Sequence, residues 1–349
     1  MARQLQRQSL IPSLWHAVLW MLVASLLVLV VAIWYSGGTE ADHARDTARR
    51  MVINLATGEI QGKRPTSKRI QSATASGGII PAAQALEAVN PALQEEAAAG
   101  TIPVIGADGT KAWRFYSRPY EHIGGLPMVA IVITGVGHSQ AATEAAIKLP
   151  AEIGISFSPY ARHCDKWMNS ARLAGHETFL DLPLEPNDYP ASDPGPYGLL
   201  LGQQTQNNHQ NFQKVMASAA GYVGMVTPYN ERYSANNDAM KLLLQSVGNH
   251  GLMLVVGREP HKTETREMLD TSSTPNLTVD TWLDEDPSEE AIKERLATLE
   301  QTAKKRGFAI GRAQALPVTI QQLQIWSDEL ATKGIVVVPV TFIAKPRFS

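Results

Sequence analysis

The apolar and polar positions follow two different patterns along the chain. From Ser13 to Tyr35 no Asp, Glu, Lys or Arg interrupts a run of apolar side chains. A stretch of about 20 such residues crosses the hydrocarbon core of a bilayer, so a membrane-spanning helix is predicted over residues 13–35. Trp15, Trp20, Trp34 and Tyr35 place amphipathic rings towards its ends, where interfacial aromatics sit. Arg3 and Arg7 precede it without an acidic residue, which predicts a cytoplasmic N-terminus over residues 1–12. A cleaved signal peptide is the competing reading. It calls for a shorter apolar core and a small-residue cleavage site, and Trp34-Tyr35-Ser36-Gly37-Gly38 does not supply such a site.

From Met128 onward, short apolar runs alternate with longer amphipathic segments. Strands are predicted at Met128–Ile133, Ile153–Phe157, Glu177–Leu182, Gly221–Val226, Leu252–Val256, Leu277–Val279, Phe308–Ile310 and Ile335–Val340. Helices are predicted at Ala141–Lys148, Cys164–Ala174, Thr205–Ala219, Ala235–Asn249, Ser288–Arg306 and Ile320–Lys333, with Gly175, Gly251, Gly307 and Gly334 just past helix ends. Such alternation implies parallel strands joined by helical crossovers. Seven to eight strands favour an α/β fold closed, or nearly closed, into a (β/α) barrel over an open sheet.

Residues 36–125 have no such rhythm. Gly62 to Ala83 is rich in Ser, Thr, Gly, Lys and Pro and is predicted to be linker, while the Ala/Glu/Gln-rich Gln84–Ala99 is predicted helical. Ile102–Arg118 carries enough apolar residues for a small hairpin or a lead-in packed on the main domain, residues 126–345.

Charge and cysteine content then remove several functions. With 31 basic and 33 acidic residues and no basic block, no surface for nucleic acid is predicted. The single cysteine, Cys164, excludes an intrachain disulfide and any multi-cysteine metal site. No motif of a cysteine nucleophile surrounds it, so it is expected to be an inert buried thiol. Gly135-Val136-Gly137 lacks the third glycine of a dinucleotide-binding loop.

In parallel barrels, functional groups lie at the C-terminal ends of strands. Those ends are Thr134-Gly135-Val136-Gly137-His138, Ser158-Pro159-Tyr160, Asp181 through Pro186, Thr227-Pro228-Tyr229-Asn230, Gly257-Arg258-Glu259, Asp280, Arg312-Ala313-Gln314 and Thr341. Asp181 and Glu185 are cleft candidates for acid/base work or ligand contact, although Glu185 also suits a brace in a Pro-rich turn. Glu259 is a third candidate whose simpler role is a surface ion pair with a neighbour. His176 precedes a strand and is expected to be structural. Tyr160, Tyr189, Tyr197, Tyr229 and Trp282 lie in or near loops, where they either stack on a ligand or pack. A His and carboxylate cluster suited to a catalytic zinc is missing from the strand ends.

Phe157-Ser158-Pro159-Tyr160-Ala161, Ala174-Gly175-His176-Glu177, Leu182 through Pro190 and Asp193-Pro194-Gly195-Pro196 form a recognisable series. Together with Gly221-Tyr222-Val223-Gly224 and Ala309-Ile310-Gly311, they resemble the divergent polysaccharide deacetylases, relatives of the NodB-like carbohydrate esterases. The resemblance implies a NodB-like imperfect barrel and a role with envelope polysaccharide or peptidoglycan. It further implies a divalent metal held by one Asp and two His, with a neighbouring Asp as base and a late His as acid.

The residues depart from that pattern at several positions. Thr134 and Gly135 stand where the resemblance places an Asp pair, and Pro228 lies in the segment expected to supply a His. Val256 occupies the place of an Asp, and Gln314 that of the late His. No metal ligand set and no cofactor are therefore expected. The sequence predicts a catalytically degenerate barrel of a bacterial inner membrane, its main domain periplasmic, binding a glycan or an envelope protein. The alternative is a hydrolase that deacetylates amino-sugar polymers with zinc or another divalent metal.

Overall fold

A computed structural model describes residues 84–344 except 122, 123 and 229, together with a short antiparallel ladder of β1 (Val52–Ile53) and β2 (Ile60–Gln61). The helix expected over residues 13–35, the N-terminus 1–12 and the linker 62–83 lie outside the described residues. Among the described residues no helix is long and apolar enough to cross a membrane.

The chain from residue 84 to 121 belongs to the folded domain. β3 (Gln94–Ala97) and β4 (Gly100–Pro103) form an antiparallel hairpin turned at Gly100, whose φ is +122°. This corrects the helix expected over Gln84–Ala99. Its Ala and Glu composition favours helix only weakly per residue. Pro91 confines the helical part to one short turn, Pro91–Leu93, and extended pairing lets Leu93 and Ile102 enter the core. The short helix Ala112–Phe115 buries Trp113 beside them.

The barrel strands are β5 (Met128–Val136), β6 (Gly154–Phe157), β7 (Thr178–Asp181), β8 (Gly224–Val226), β9 (Met253–Val256), β10 (Asn276–Thr278), β11 (Thr281–Trp282), β12 (Phe308–Gln314) and β13 (Val336–Val337). All pair in parallel, in the order β10-β9-β8-β7-β6-β5-β12-β11, with β13 against the start of β5. The two edge strands, β10 and β11, are separated in sequence only by Val279 and Asp280. Val279 N–H donates to Val256 O on β9, and Asp280 N–H donates to Ile310 O on β12. One short segment thus engages both edges, and the sheet curls into an imperfect barrel.

The strands are apolar on both faces, as parallel strands covered by helices must be; Val129 to Ile133 are fully buried. All six expected helices are present within a few residues, and Gly307 and Gly334 end two of them in the left-handed conformation. Thr263–Thr271 is a further helix that the polar sequence conceals. The strand expected over Ile335–Val340 stops early, because Pro339 has no N–H to continue the ladder and Val340–Ala344 turns helical.

Candidate functional site

At the C-terminal end of β5 the ladder with β6 slips between Ile133 and Val136. The resulting bulge carries Thr134 and Gly135, and bulges of this kind re-aim backbone groups beside functional sites. Gly135 has a φ of +72°, a region that side-chain-bearing residues enter at a cost. Its N–H is thereby aimed across the barrel mouth at Asp181, donating to Oδ2 at 2.7 Å. The hydroxyl of Ser156 on β6 donates to Oδ1 at 2.6 Å. Strands β5, β6 and β7 thus converge on one carboxylate. Burial raises the pKa of Asp181, against the lowering effect of these two hydrogen bonds and of the charges on Arg312 and His138.

Arg312, on β12, is the cation of this floor. Its Nε donates to Thr134 Oγ1 over a long 3.4 Å, and its guanidinium lies over the Trp282 ring, 5.3 Å from the centroid. Burial lowers its pKa while Asp181 and Asp284 act to raise it, yet a guanidinium stays protonated in proteins. Asp284 anchors the same corner. It accepts from Trp282 Nε1 at 2.8 Å, Gln314 N–H at 2.7 Å and Thr319 Oγ1 at 2.9 Å.

Above this floor lies a cleft of about 340 Å³ whose walls include Pro159, Tyr160, Pro183, Pro186 and Pro194. Tyr160 is fixed in place: its hydroxyl donates to Pro194 O at 2.9 Å and accepts from Tyr197 N–H at 3.1 Å.

The structure distributes the sequence candidates unevenly. Asp181, Thr134, Gly135, Pro228 and Gln314 all line the cleft. Glu185 does not; it is buried beneath the Pro-rich loop, accepting from Leu201 N–H at 2.9 Å and pairing with Arg232 at 3.2 Å. Glu259 is also displaced from the cleft. Beyond β9, Gly257 packs tightly against Thr227 and Pro228, and the chain carries Glu259 to a separate surface groove, where it pairs with Arg266 at 3.3 Å. Val256 is buried as part of β9 and does not reach the cleft. Tyr229 lies outside the described residues. His176 is fully buried with its ring nitrogens 2.8 and 2.9 Å from the carbonyls of Ile153 and Ile147. Burial pushes the Cys164 thiol up to about 12.

The strand-end reading named Arg312 without giving it a role and did not include Ser156, and both meet Asp181 at the cleft floor. A lone arginine within the otherwise uncharged Phe308–Gln314 was the available signal for the first.

The metal implied by the resemblance needs several donors converging on one point. Among the described residues no group of three or more His, Cys, Asp or Glu side chains gathers in that way. Both oxygens of Asp181 already accept hydrogen bonds, and its charged neighbour on the floor is a guanidinium. Thr134, Gly135, Pro228 and Gln314 offer no carboxylate or imidazole. This donor set does not fit a divalent metal.

The family model for divergent polysaccharide deacetylases matches residues 131–343. The chain belongs to that family. A solved structure of an uncharacterised protein from Agrobacterium tumefaciens C58 is 32% identical with a TM-score of 0.66, the match covering 69% of this chain and 98% of that one. The catalytic domain of a peptidoglycan N-acetylglucosamine deacetylase from Eubacterium rectale is 11% identical with a TM-score of 0.40, covering 63% of this chain and 90% of that one. Comparison with curated proteins gives no match.

Proposed function

We propose that this member of the divergent polysaccharide deacetylase family is a non-catalytic glycan-binding barrel of the bacterial cell envelope. The composition of the cleft floor is the observation that carries this reading: one carboxylate, Asp181, faced by Thr134, Gly135, Pro228, Gln314 and Arg312. Hydrolysis of an acetamide needs a polarised carbonyl, an activated water and a proton for the departing amine. Asp181 is the one proton carrier among these floor residues, and Thr, Gly, Pro and Gln carry none of these duties at neutral pH. Binding asks less of the same residues. Tyr160 and the prolines present apolar faces to sugar C–H groups, while Thr134, Asp181, Gln314 and Arg312 offer hydroxyl-matching donors and acceptors.

The reading places this barrel in the periplasm, tethered to the inner membrane through residues 13–35. Alkaline phosphatase fused after residue 60 is expected to be active, and an active cytoplasmic reporter at that site contradicts the orientation.

Isothermal titration of the full chain in EDTA, with glycan strands released from peptidoglycan as the probe, tests the binding claim. Titratable binding is expected to survive EDTA, and Tyr160→Ala is expected to weaken it about tenfold, the loss of one good aromatic contact. Binding that appears only when a divalent metal is restored would overturn the reading.

A further inference from the structure

Arg312 is the cation at the cleft floor, and its bonding capacity exceeds what the described residues supply. A guanidinium carries five N–H donors. Among the described residues its hydrogen bond is the long one from Nε to Thr134, while Asp181 and Asp284 act on it through charge and not through a hydrogen bond. Both of those carboxylates are occupied by other donors: Asp181 by Ser156 and Gly135, Asp284 by Trp282, Gln314 and Thr319. The guanidinium lies over the Trp282 ring, and Arg312 is part of the cleft lining. A partly buried cation with spare donors is costly unless an anion completes it.

We propose that Arg312 reads a carboxylate on the glycan, so that the ligand of this cleft is an acidic sugar chain. The inference rests on the glycan-binding reading above and narrows it. A planar guanidinium offers two parallel N–H donors that match the two oxygens of a carboxylate. The neighbouring charges argue for a monoanion. Asp181 and Asp193 already outnumber the one cation among the described residues of the lining, so an acidic group is held only by direct paired bonds to the guanidinium, and a phosphate dianion meets twice the repulsion of a monoanion. Two kinds of envelope sugar carry a suitable acid: those with a lactyl ether, and uronic acids.

The test uses the full chain and three tetrasaccharide probes of similar length: a neutral chitotetraose, a peptide-free glycan bearing lactyl carboxylates, and a tetragalacturonate. One of the two acidic probes is expected to bind at least tenfold more tightly than the neutral probe, and which of them does so identifies the source of the acid. Methyl esterification of that probe is expected to abolish the preference in the wild-type protein, a comparison that needs no variant. Arg312→Gln is expected to bind acid and ester equally, and Arg312→Lys to retain part of the preference. Asp181→Asn, which removes a negative charge near the guanidinium, is expected to tighten the acidic probe several-fold.

Equal affinity for the neutral and acidic probes overturns the role of Arg312 and leaves the glycan-binding reading standing. Absence of binding by all three overturns both. An acid preference that persists in Arg312→Gln, or a loss of acid binding in Asp181→Asn, assigns the carboxylate to another residue and overturns the proposal.

Discussion

Glu177 and Asp181 bracket the same strand, β7, one immediately before it and the other as its last residue. Glu177 lies at the closed end of the barrel. It accepts from Arg118 N–H and Thr341 N–H, both at 3.0 Å, and from the Thr341 hydroxyl. Arg118 in turn donates to Gly175 O at 3.1 Å and pairs with Glu152 at 3.2 Å. That end ties the lead-in segment, two strand starts and the final helix into one buried polar knot. Asp181 lies at the open end, held by a hydroxyl and a bulged backbone N–H while solvent-facing cleft walls surround it. At the closed end the buried polar groups pair mostly with one another, Arg118 Nε excepted, whereas the groups around Asp181 line an open cleft. The contrast follows the general division of such barrels between a stabilising face and a functional face.

The largest effect expected from this contrast is at Glu177. Glu177→Ala strands several buried donors at once, a loss of about 3–5 kcal/mol by analogy with broken buried pairs. A urea-unfolding midpoint close to wild type would show that the closed end is not the stabilising one. Asp181→Asn should act in the opposite direction. Because burial raises the folded-state pKa of Asp181 above its ordinary 3.8, ionisation costs stability, and wild type loses that stability as pH rises through the folded value. An Asn can accept from Gly135 and donate to Ser156, so the variant avoids the cost. Its Tm is expected to exceed wild type by roughly 2–4 °C at pH 7–8, for a change of about 1 kcal/mol. The difference should vanish below the unfolded-state pKa. A variant less stable than wild type at pH 8 would make Asp181 a structural residue like Glu177.

Smaller effects sharpen the picture. Cys164, pushed up to about 12 by burial, should ignore Ellman's reagent at pH 8 until the protein unfolds; labelling of the folded chain at the unfolding-independent rate of a free thiol contradicts its placement. Glu259→Ala, which breaks only an exposed pair with Arg266, should change stability by less than about 0.5 kcal/mol. Glycan affinity should not change either, and any loss there would return Glu259 to the cleft.

The barrel was legible because short apolar runs and amphipathic helices alternate with little interference. Gln84–Ala99 was not, since its composition favours helix while its fate is set by Leu93 and Ile102 docking on a core far away in sequence. At the site, the rule of strand ends led directly to Thr134, Gly135, Asp181, Pro228 and Gln314. It failed for Glu185, because an Asp and a Glu four residues apart in a folded-back loop need not share a side: residues 184 and 199 bridge there and turn Glu185 inward. It failed again for Glu259, carried past the cleft by the tight turn at Gly257. Arg312 was visible as a residue but not as a role, since its significance comes from donors that the protein leaves unused. That is a property of the assembled floor and of no single position.

The proposed loss of catalysis is tested most directly by a turnover measurement. Full-length protein supplied with Zn²⁺ or Co²⁺ and acetylated chito-oligosaccharides or peptidoglycan should release no acetate above a protein-free control. It should also unfold at the same temperature with and without EDTA, since removing a genuine metal site costs folding free energy. Acetate release that EDTA abolishes and added Zn²⁺ or Co²⁺ restores would contradict the central claim and identify this barrel as a working deacetylase.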